Sequence, residues 1–485
     1  MGVLESLEPK EVFHFFEEIT QIPRPSYHEK AISDYLVKFA EDRDLEVYQD
    51  SLYNVIIIKE ASEGRESDDP IILQGHMDMV CEKNPGVEKD MTKEGLDLEI
   101  DGDYVRAKGT TLGGDDGIAV AYALALLDSA SLSHPRLEFI CTVSEEVGMD
   151  GAHAIDLSPI KGHTLLNMDS EDEGIVLAGC AGGGSANISL PIQREAFEGE
   201  RVLVHIHGLT GGHSGTEIHK GHASSVSLVS RLLRNLAVCT DMRLVSMVNG
   251  SKDNAISREG SFVLAVSDRK AAEDVIQKAA SDIKSEYHLP DPDLSIDIEE
   301  PAALAGVSPD TDPLTAESTR SVITLLNDLP QGVQRMSDNV EGLVETSLNW
   351  GIAGLSNDDF SMKAAVRSSV GTAKDDLIAR LDWIAQSCGG TFSMTGEYPA
   401  WEWVEHSPLR EKMARIYKSM FGSDLVIEAI HAGVECGLLA DKIPDMDAIS
   451  MGPNILDIHT PNEHLSISSV ERMWRFIKAV IEERD

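Results

Sequence analysis

Residues 71–80 read IILQGHMDMV, an apolar run that ends in a histidine and an aspartate two positions apart. An apolar run of this length is typical of a strand buried on both faces. Because residues i and i+2 of a strand face the same side, His76 and Asp78 are expected to project together from its end. Alone, such a pair is more typical of a core histidine with a hydrogen-bonded partner than of a functional site. Its meaning depends on the rest of the chain.

The segments around this stretch alternate between strand and helix patterns. An apolar stripe predicts a helix within residues 23–47, opened by a capping box from Ser26 to Glu29, and residues 114–130 predict a buried helix. Further strands are predicted within residues 54–60, 136–146 and 163–171. Strands that alternate with helices predict an α/β domain with a doubly wound, mixed sheet.

A different pattern begins at the glycine-rich stretch 179–190, where Gly182, Gly183 and Gly184 form a candidate hinge. Beyond it, alternating strands are separated by amphipathic helices, which predicts an inserted α+β domain. The chain returns to the first domain near GEYPAWEW. We therefore expect a first domain made of residues 1–184 plus 400–485, and an inserted domain over residues 185–399.

The composition restricts partners and compartment. The chain has 83 Asp and Glu residues against 41 Lys and Arg residues, a net charge of −42. A field of this sign repels nucleic acid and anionic membranes, so we expect neither as a partner. The apolar runs are too short to span a bilayer, and the acidic start lacks the layout of a signal peptide. Six cysteines without a CxxC pair indicate a reducing, cytoplasmic setting.

Polar side chains also follow other predicted strands and loops. They are Glu145 and Glu146 at the end of one strand, Asp169 after another, Asp115 in a Gly-rich turn, and His459 in a loop before the last helix. Ligands of α/β sheets bind beyond the carboxyl ends of the strands, so these groups should converge with His76. Such nitrogen and oxygen ligands suit Zn²⁺, and also Mn²⁺ or Co²⁺. A carboxylate that bridges two ions holds them about 3.5–4 Å apart in two-metal hydrolases.

Six motifs, taken in order, carry a resemblance to a known family. They are GHMDMV (75–80), GGDDG (113–117), SEEVGMDG (144–151), NMDSE (167–171), GGHSG (211–215) and IHTPNEH (458–464). They resemble the co-catalytic zinc metallopeptidases that include PepT, PepV and carboxypeptidase G. Further stretches, among them GTTLGGDDGI and HAGVECGL, extend the similarity over nearly the whole chain. Within this family, the six motifs and the further stretches together look most like the aminoacyl-histidine dipeptidases (PepD).

The resemblance implies a set of metal ligands. One zinc ion would be held by His76 and Asp169, the other by Glu146 and His459, and both by a bridging Asp115. In this family the peptide bond after the bridging aspartate is cis, so a cis bond is expected between Asp115 and Asp116. Asp116 stands where asparagine is more usual. Two adjacent acids leave open which one bridges, although the register of the motif favours Asp115.

The resemblance also implies residues that act on the substrate. Glu145 would be the general base, and Asp78 would orient His76 or tune its basicity. The inserted domain would act as a lid. Its expected contributions are an oxyanion contact from His213 and a clamp on the C-terminal carboxylate of the substrate from Asn254 and Arg367. The HAGVECG stretch near Gly433 and Glu435 is expected to shape the pocket.

The implied activity is hydrolysis of small dipeptides, Xaa-His among them, by metal-activated water. A broader di- or tripeptidase, or an N-acyl amino acid deacylase, could use the same site. A non-catalytic metal-binding relative would be expected to lack the base or a ligand, but Glu145 and all five ligands are present. The inserted domain is large for one dimerisation module. It could be a duplicated lid that lets a monomer supply its own His213, or a lid that also forms a homodimer.

Overall fold

The structure is a computed structural model that describes residues 2–304 and 306–484. The chain divides into two compact units. The first unit comprises Met1–Cys180, Trp403–Ala429 and Val434–Asp485, and the second comprises Ala181–Glu402 and Ile430–Gly433. No helix in the described part of the chain is long and apolar enough to cross a membrane.

The helices of the described residues begin and end at defined positions along the chain. They are α1 (Lys10–Thr20), α2 (Lys30–Glu41), α3 (Gly114–Asp128), α4 (Asp150–Ala154), α5 (Ser225–Cys239), α6 (Arg269–Glu286), α7 (Ala316–Asp328), α8 (Gly371–Ser387), α9 (Pro408–Phe421), α10 (Glu435–Lys442) and α11 (Ile467–Glu482). The predicted capping box of α2 is wrong. The Ser26 hydroxyl donates to Asp78, and Glu29 Oε1 accepts the backbone N–H and the hydroxyl of Ser144. Both side chains are therefore used in tertiary contacts.

The strands of the described residues are short in the first unit and longer in the second. They are β1 (Glu46–Gln49), β2 (Val55–Lys59), β3 (Ile71–His76), β4 (Leu98–Asp101), β5 (Tyr104–Ala107), β6 (Leu137–Thr142), β7 (Thr164–Asn167), β8 (Ile175–Cys180), β9 (Gly182–Pro191), β10 (Glu200–His207), β11 (Met242–Asn249), β12 (Gly260–Val266), β13 (Ser295–Glu299), β14 (Gly332–Met336), β15 (Val344–Leu355), β16 (Asp359–Ser368), β17 (Thr391–Tyr398), β18 (Val426–Ile430), β19 (Asp447–Ser450), β20 (Ile455–Leu456) and β21 (His464–Ser466).

The main sheet of the first unit has the strand order β1-β2-β6-β3-β7-β19-β8-β18. β3 is parallel to β6 and β7, whereas β2 is antiparallel to β6, so the sheet is mixed. Both faces of β3 are buried, and its side chains alternate between the two faces. Leu73 packs into the apolar core with α1, α3 and α11, and Gln74 faces the other side, where it contacts Glu435 of α10. The predicted doubly wound α/β fold is confirmed.

The second unit is built on an antiparallel sheet in the order β13-β10-β12-β11-β15-β16-β9-β17, with β14 also paired to β15. Helices α5, α6, α7 and α8 contribute to its apolar core. This confirms the predicted α+β architecture. The glycine-rich stretch expected to be a hinge is instead the start of β9, paired with both β16 and β17. A Cβ at Gly183 would lie 2.5 Å from the Val366 carbonyl oxygen, so glycine permits this close pairing.

Candidate active site

His76 is the last residue of β3, and only 1% of its side chain is exposed. Its Nδ1 lies 3.3 Å from Asp78 Oδ1. Its Nε2 lies 3.1 Å from Asp115 Oδ1 and 3.7 Å from Asp169 Oδ1. His76 and Asp78 therefore project to the same side, as the strand pattern predicted. His76 faces the carboxylates of Asp78, Asp115 and Asp169, which come from separate segments of the chain.

Asp115 lies between two imidazoles. Its Oδ1 faces His76, and its Oδ2 lies 3.0 Å from His459 Nε2. The peptide bond between Asp115 and Asp116 is cis, as expected. The Asp116 side chain points toward the backbone of β3, where its Oδ2 accepts the N–H of His76 at 3.1 Å. The structure thus places Asp115, and not its neighbour, between the two histidines.

Two overlapping sets of side chains could hold cations. In each set the ligand atoms lie within 4.8 Å of one another; the sets are His76, Asp115 and Glu146, and His76, Asp116 and Asp169. Glu146 Oε2 lies 3.0 Å from His459 Nε2, whereas the buried Glu146 Oε1 has no hydrogen-bond partner among the described residues. An unpaired buried carboxylate oxygen is costly, and a cation at this position would satisfy it. The donor set therefore fits divalent ions that accept nitrogen and oxygen ligands.

Asp78 connects the histidine to the two glutamates. Its carboxylate is fully buried and accepts hydrogen bonds from the backbone N–H groups of Glu145 and Glu146, at 3.1 and 3.4 Å, and from the Ser26 hydroxyl at 2.8 Å. Burial acts to raise the pKa of Asp78, but its interactions with His76, Ser26 and the Glu145 N–H outweigh burial and lower it. An ionised Asp78 can therefore orient His76 and hold the turn that carries the glutamates.

Glu145 begins a single 3₁₀ turn, Glu145–Val147, directly after Ser144, whose φ is +54°. Burial raises the pKa of Glu145 to about 8; the nearby His76 opposes this shift, whereas the carboxylates of Glu435, Glu146 and Asp115 add to it. A bound cation would oppose this shift. A carboxyl group whose pKa lies near neutrality can both accept and donate a proton, which is what general acid–base chemistry requires of Glu145.

His459 shows a shift of its own. Hydrogen bonds to Asp115 and Glu146 raise the pKa of His459 to about 10.

Two residues that support the site were not identified from the sequence. Glu463 is buried, and its carboxylate accepts the backbone N–H groups of Leu112, Gly113 and Gly114 at 2.7, 3.0 and 2.7 Å. It therefore holds the loop that leads into Asp115. Glu463 lies inside the IHTPNEH motif, so membership of a motif was the one signal that pointed to it.

Arg24 is the second such residue. Its buried guanidinium donates hydrogen bonds to the carbonyl oxygens of Met77, Asp78 and Gly113. These contacts join the segment after β3 to the loop before α3. Burial lowers the pKa of Arg24, although Glu463 and Asp78 oppose this shift. Arg24 belongs to the stretch PRPSYHE (23–29), which is one of those that extend the resemblance, but the sequence analysis gave Arg24 no role near the site.

The predicted substrate-binding residues belong to the second unit. Asn254 and Arg367 line a cavity of about 100 Å³ together with Tyr398. Arg367 Nη1 donates to the Tyr398 hydroxyl at 2.9 Å, while its buried Nε has no hydrogen-bond partner among the described residues. A Cβ at Gly433 would lie 2.6 Å from the Tyr398 ring. Asn254, Arg367 and Gly433 are thus all grouped around one tyrosine.

His213 has a defined hydrogen-bonding role. Its Nδ1 accepts the backbone N–H groups of Gly215 and Thr216, at 3.3 and 3.2 Å. Burial and the nearby Arg367 guanidinium lower the pKa of His213, which favours the neutral imidazole. With Nδ1 acting as an acceptor, the proton of the neutral ring is assigned to Nε2. His213 therefore presents an N–H donor.

Comparison with known proteins identifies the family. Residues 72–483 match the model of peptidase family M20/M25/M40. The chain belongs to this family. It is 36% identical to the cytosol non-specific dipeptidase of Escherichia coli (strain K12), an alignment that covers 100% of this chain and 99% of that protein. The predicted family and the predicted metallopeptidase class are confirmed.

Two solved structures show the same fold. The crystal structure of aminoacylhistidine dipeptidase from Vibrio alginolyticus has a TM-score of 0.92 and 35% sequence identity, and the match covers 99% of this chain and 98% of that one. The aminopeptidase PepT from Bacillus cereus has a TM-score of 0.54 and 16% identity, with 98% of each chain covered. The second comparison supports the fold alone.

Proposed function

We propose that this protein is a dipeptidase that acts with two bound divalent cations, Zn²⁺ in the first place and Mn²⁺ or Co²⁺ as alternatives. The observation that carries the proposal is the position of Asp115, whose two carboxylate oxygens each face one histidine. The proposed ligands are His76 and Asp169 for one ion, Glu146 and His459 for the other, and Asp115 for both. When bound, the ions would polarise the scissile carbonyl and make water more acidic.

Glu145 is the proposed general base. It takes a proton from the attacking water and then gives it to the leaving amine. Asp78 supports both the ligand and the base, because its carboxylate lies 3.3 Å from His76 and accepts the Glu145 backbone N–H. His213 is the proposed donor to the tetrahedral oxyanion, since its Nδ1 already accepts backbone hydrogen bonds and leaves the Nε2–H to donate.

The substrate is proposed to be a short peptide with a free C-terminal carboxylate. Arg367 and Asn254 line one cavity, and an arginine fork is suited to a carboxylate. The second unit would act as a lid that brings this clamp to the substrate. The names of two relatives support dipeptides: one is a non-specific dipeptidase and the other an aminoacylhistidine dipeptidase. We therefore propose dipeptides in general, with Xaa-His among them.

The compartment and the assembly are parts of the same proposal. A cytoplasmic location is supported by the name of the Escherichia coli relative, a cytosol dipeptidase. A homodimer is proposed as an arrangement that the large second unit could form. Light scattering after size-exclusion chromatography measures the assembly directly, and a mass equal to one 52.7 kDa chain would exclude the dimer.

A panel of peptides tests the proposed activity. Free dipeptides, the matching tripeptides, C-terminally amidated dipeptides and N-acyl amino acids are assayed with the Zn²⁺-loaded protein. We expect hydrolysis of free dipeptides and much weaker hydrolysis of amidated ones. Equal rates on free and amidated dipeptides would contradict the carboxylate clamp, preferred cleavage of tripeptides would indicate a tripeptidase, and activity confined to N-acyl amino acids would indicate a deacylase.

A further inference from the structure

Four buried polar side chains form a hydrogen-bonded layer beneath the candidate active site. At its centre is Glu435, the first residue of α10, whose side chain is fully buried. Its Oε2 accepts hydrogen bonds from Gln74 Nε2 and from Thr142 Oγ1, each at 2.6 Å. Gln74 Oε1 accepts a further hydrogen bond from Asn167 Nδ2. None of these four residues accepts or donates a proton in the transfers proposed above.

The layer crosses three neighbouring parallel strands close to their ends. Gln74 of β3 pairs in register with Asn167 of β7, and His76 of β3 pairs with Thr142 of β6. Gln74 and His76 face the same side because they are two positions apart, about 6.6 Å along the strand. Each strand thus carries one member of the layer and, a few residues later, one group of the candidate site. Those groups are His76 at the end of β3, Glu145 after β6 and Asp169 after β7.

The position of Glu435 matters because a buried carboxylate is costly unless it is hydrogen-bonded. Its placement in the first turn of a helix favours a negative charge, but this does not explain the two contacts to separate strands. One oxygen receives both donors, while Oε1 has no hydrogen-bond partner among the described residues. The two donors, Gln74 and Thr142, are themselves fully buried. Loss of this acceptor would leave them only two long contacts, from Gln74 Nε2 to Thr142 Oγ1 at 3.4 Å and from Thr142 Oγ1 to the Gly75 carbonyl oxygen at 3.5 Å.

We infer that Glu435 is a positioning residue for the proposed hydrolysis. Its carboxylate ties the end of β3 to the end of β6 and, through Gln74, to the end of β7. The inference rests on the proposed function, because the groups that it positions are the proposed ligands and base. A residue that hydrogen-bonds directly to a metal ligand typically changes metal affinity or activity by about 10–100-fold when removed. Glu435 contacts Gln74 and Thr142 and no proposed ligand, so we expect an effect at the lower end of this range.

Two substitutions at Glu435 test the inference. Glu435→Ala removes the acceptor, whereas Glu435→Gln keeps an oxygen that can accept both hydrogen bonds. We expect Glu435→Ala to weaken Zn²⁺ binding by about 10-fold and to lower kcat by a similar factor. Zn²⁺ affinity is measured by competition with a chromophoric chelator, which needs no turnover. We expect Glu435→Gln to recover most of both quantities; loss of both in the glutamine variant would contradict a role through these hydrogen bonds.

Glu138 provides a matched control on β6. It is also a fully buried carboxylate, but it binds Arg136 and the backbone N–H groups of Lys161 and Gly162 at the other end of the strand. Glu138→Ala should lower the melting temperature without weakening Zn²⁺ binding by the folded protein. Equal loss of Zn²⁺ affinity in Glu138→Ala and Glu435→Ala, or unchanged affinity in Glu435→Ala, would overturn the inference.

Thr142→Val covers the case in which Glu435→Ala does not fold, because it keeps the shape of the side chain and removes a single donor. It should weaken Zn²⁺ binding less than the alanine variant does, and unchanged affinity would overturn the inference. The proposed function fails in a different way. A wild-type protein that binds Zn²⁺ normally and hydrolyses none of the peptide panel would contradict the dipeptidase, not the positioning role toward the metal.

Discussion

The carboxylate of Asp78 accepts the backbone N–H of Glu145 at 3.1 Å. This hydrogen bond joins the strand that ends in His76 to the turn that carries the two glutamates. A shift of the turn would therefore move the proposed base and disturb the partner of a proposed ligand together. The close coupling makes it important to separate the roles of the individual carboxylates by substitution.

The first prediction separates the proposed base from the proposed ligands. Glu145→Gln should keep both metal ions and lower kcat by about 10²–10⁴-fold, because it removes the proton carrier alone. Metal content by mass spectrometry and kcat are measured on the same sample. Glu146→Gln serves as the comparison and should lose metal. Metal loss that parallels the loss of activity in Glu145→Gln would reverse the two assignments.

The second prediction concerns the carboxylate between the histidines. Asp115→Ala should lose both ions, because Asp115 is the proposed shared ligand. Asp116→Asn should retain both, since an asparagine oxygen can still accept the backbone N–H of His76. The number of ions per chain after dialysis distinguishes the two variants. Two retained ions in Asp115→Ala would exclude a bridging role for this residue.

The third prediction concerns the protons that the protein releases when it binds Zn²⁺. The pKa of His459 is raised to about 10, so in the metal-free protein this ring holds a proton at neutral pH. A metal ligand must be the neutral imidazole, so Zn²⁺ binding should release protons, and the apparent affinity should rise with pH up to about 10, where the free ring loses its proton. Proton release in weak buffer and chelator competition measure both effects. Affinity that does not change with pH would contradict the prediction, and His459→Ala should release fewer protons.

The same shift fixes the sign of the stability change. The folded, metal-free protein holds the His459 proton above the pH at which the unfolded chain loses it, about 6.5. The stabilisation is therefore fully present below about 6.5 and is lost as pH rises toward the folded pKa. Melting temperatures of the metal-free protein should fall over this range. The fall should be smaller in His459→Ala.

The fourth prediction tests the clamp in the second unit. Arg367→Ala should raise KM and lower kcat together, because binding energy at the carboxylate would also drive the proposed closure of the second unit as a lid. Arg335→Ala is the matched control, since Arg335 is an exposed arginine of the same unit that pairs with Asp338. It should leave both constants unchanged. The discrimination between free and amidated dipeptides should disappear in Arg367→Ala; if it persists, another residue recognises the carboxylate.

The fifth prediction follows from the net charge of −42. Repulsion among surface carboxylates is screened as the Debye length falls from about 10 Å at 0.1 M salt to about 3 Å at 1 M. The melting temperature of the metal-saturated protein should therefore rise with NaCl. KCl should have the same effect, because screening does not depend on the identity of the cation. A flat or falling melting temperature would contradict it.

The sequence predicted the parts of the site that lie at strand ends. His76 and Asp169 could be predicted because each follows an apolar run at the end of a strand, and the alternation of a strand fixes where its last side chains point. The support provided by Glu463 and Arg24 depends on contacts to backbone groups of distant loops, and no local pattern encodes such contacts. Ser26 and Glu29 show the same limit, since a helix-start pattern was outweighed by tertiary hydrogen bonds to Asp78 and Ser144.

The loop before Asp115 is held by Glu463, which follows His459 by four positions near the end of the chain. One proposed ligand, His459, and the residue that supports another therefore belong to the same short loop. A displacement of this loop would move His459 and release the segment before Asp115 at the same time. We therefore expect damage to this loop to abolish both proposed cation positions in a single step, and not one after the other.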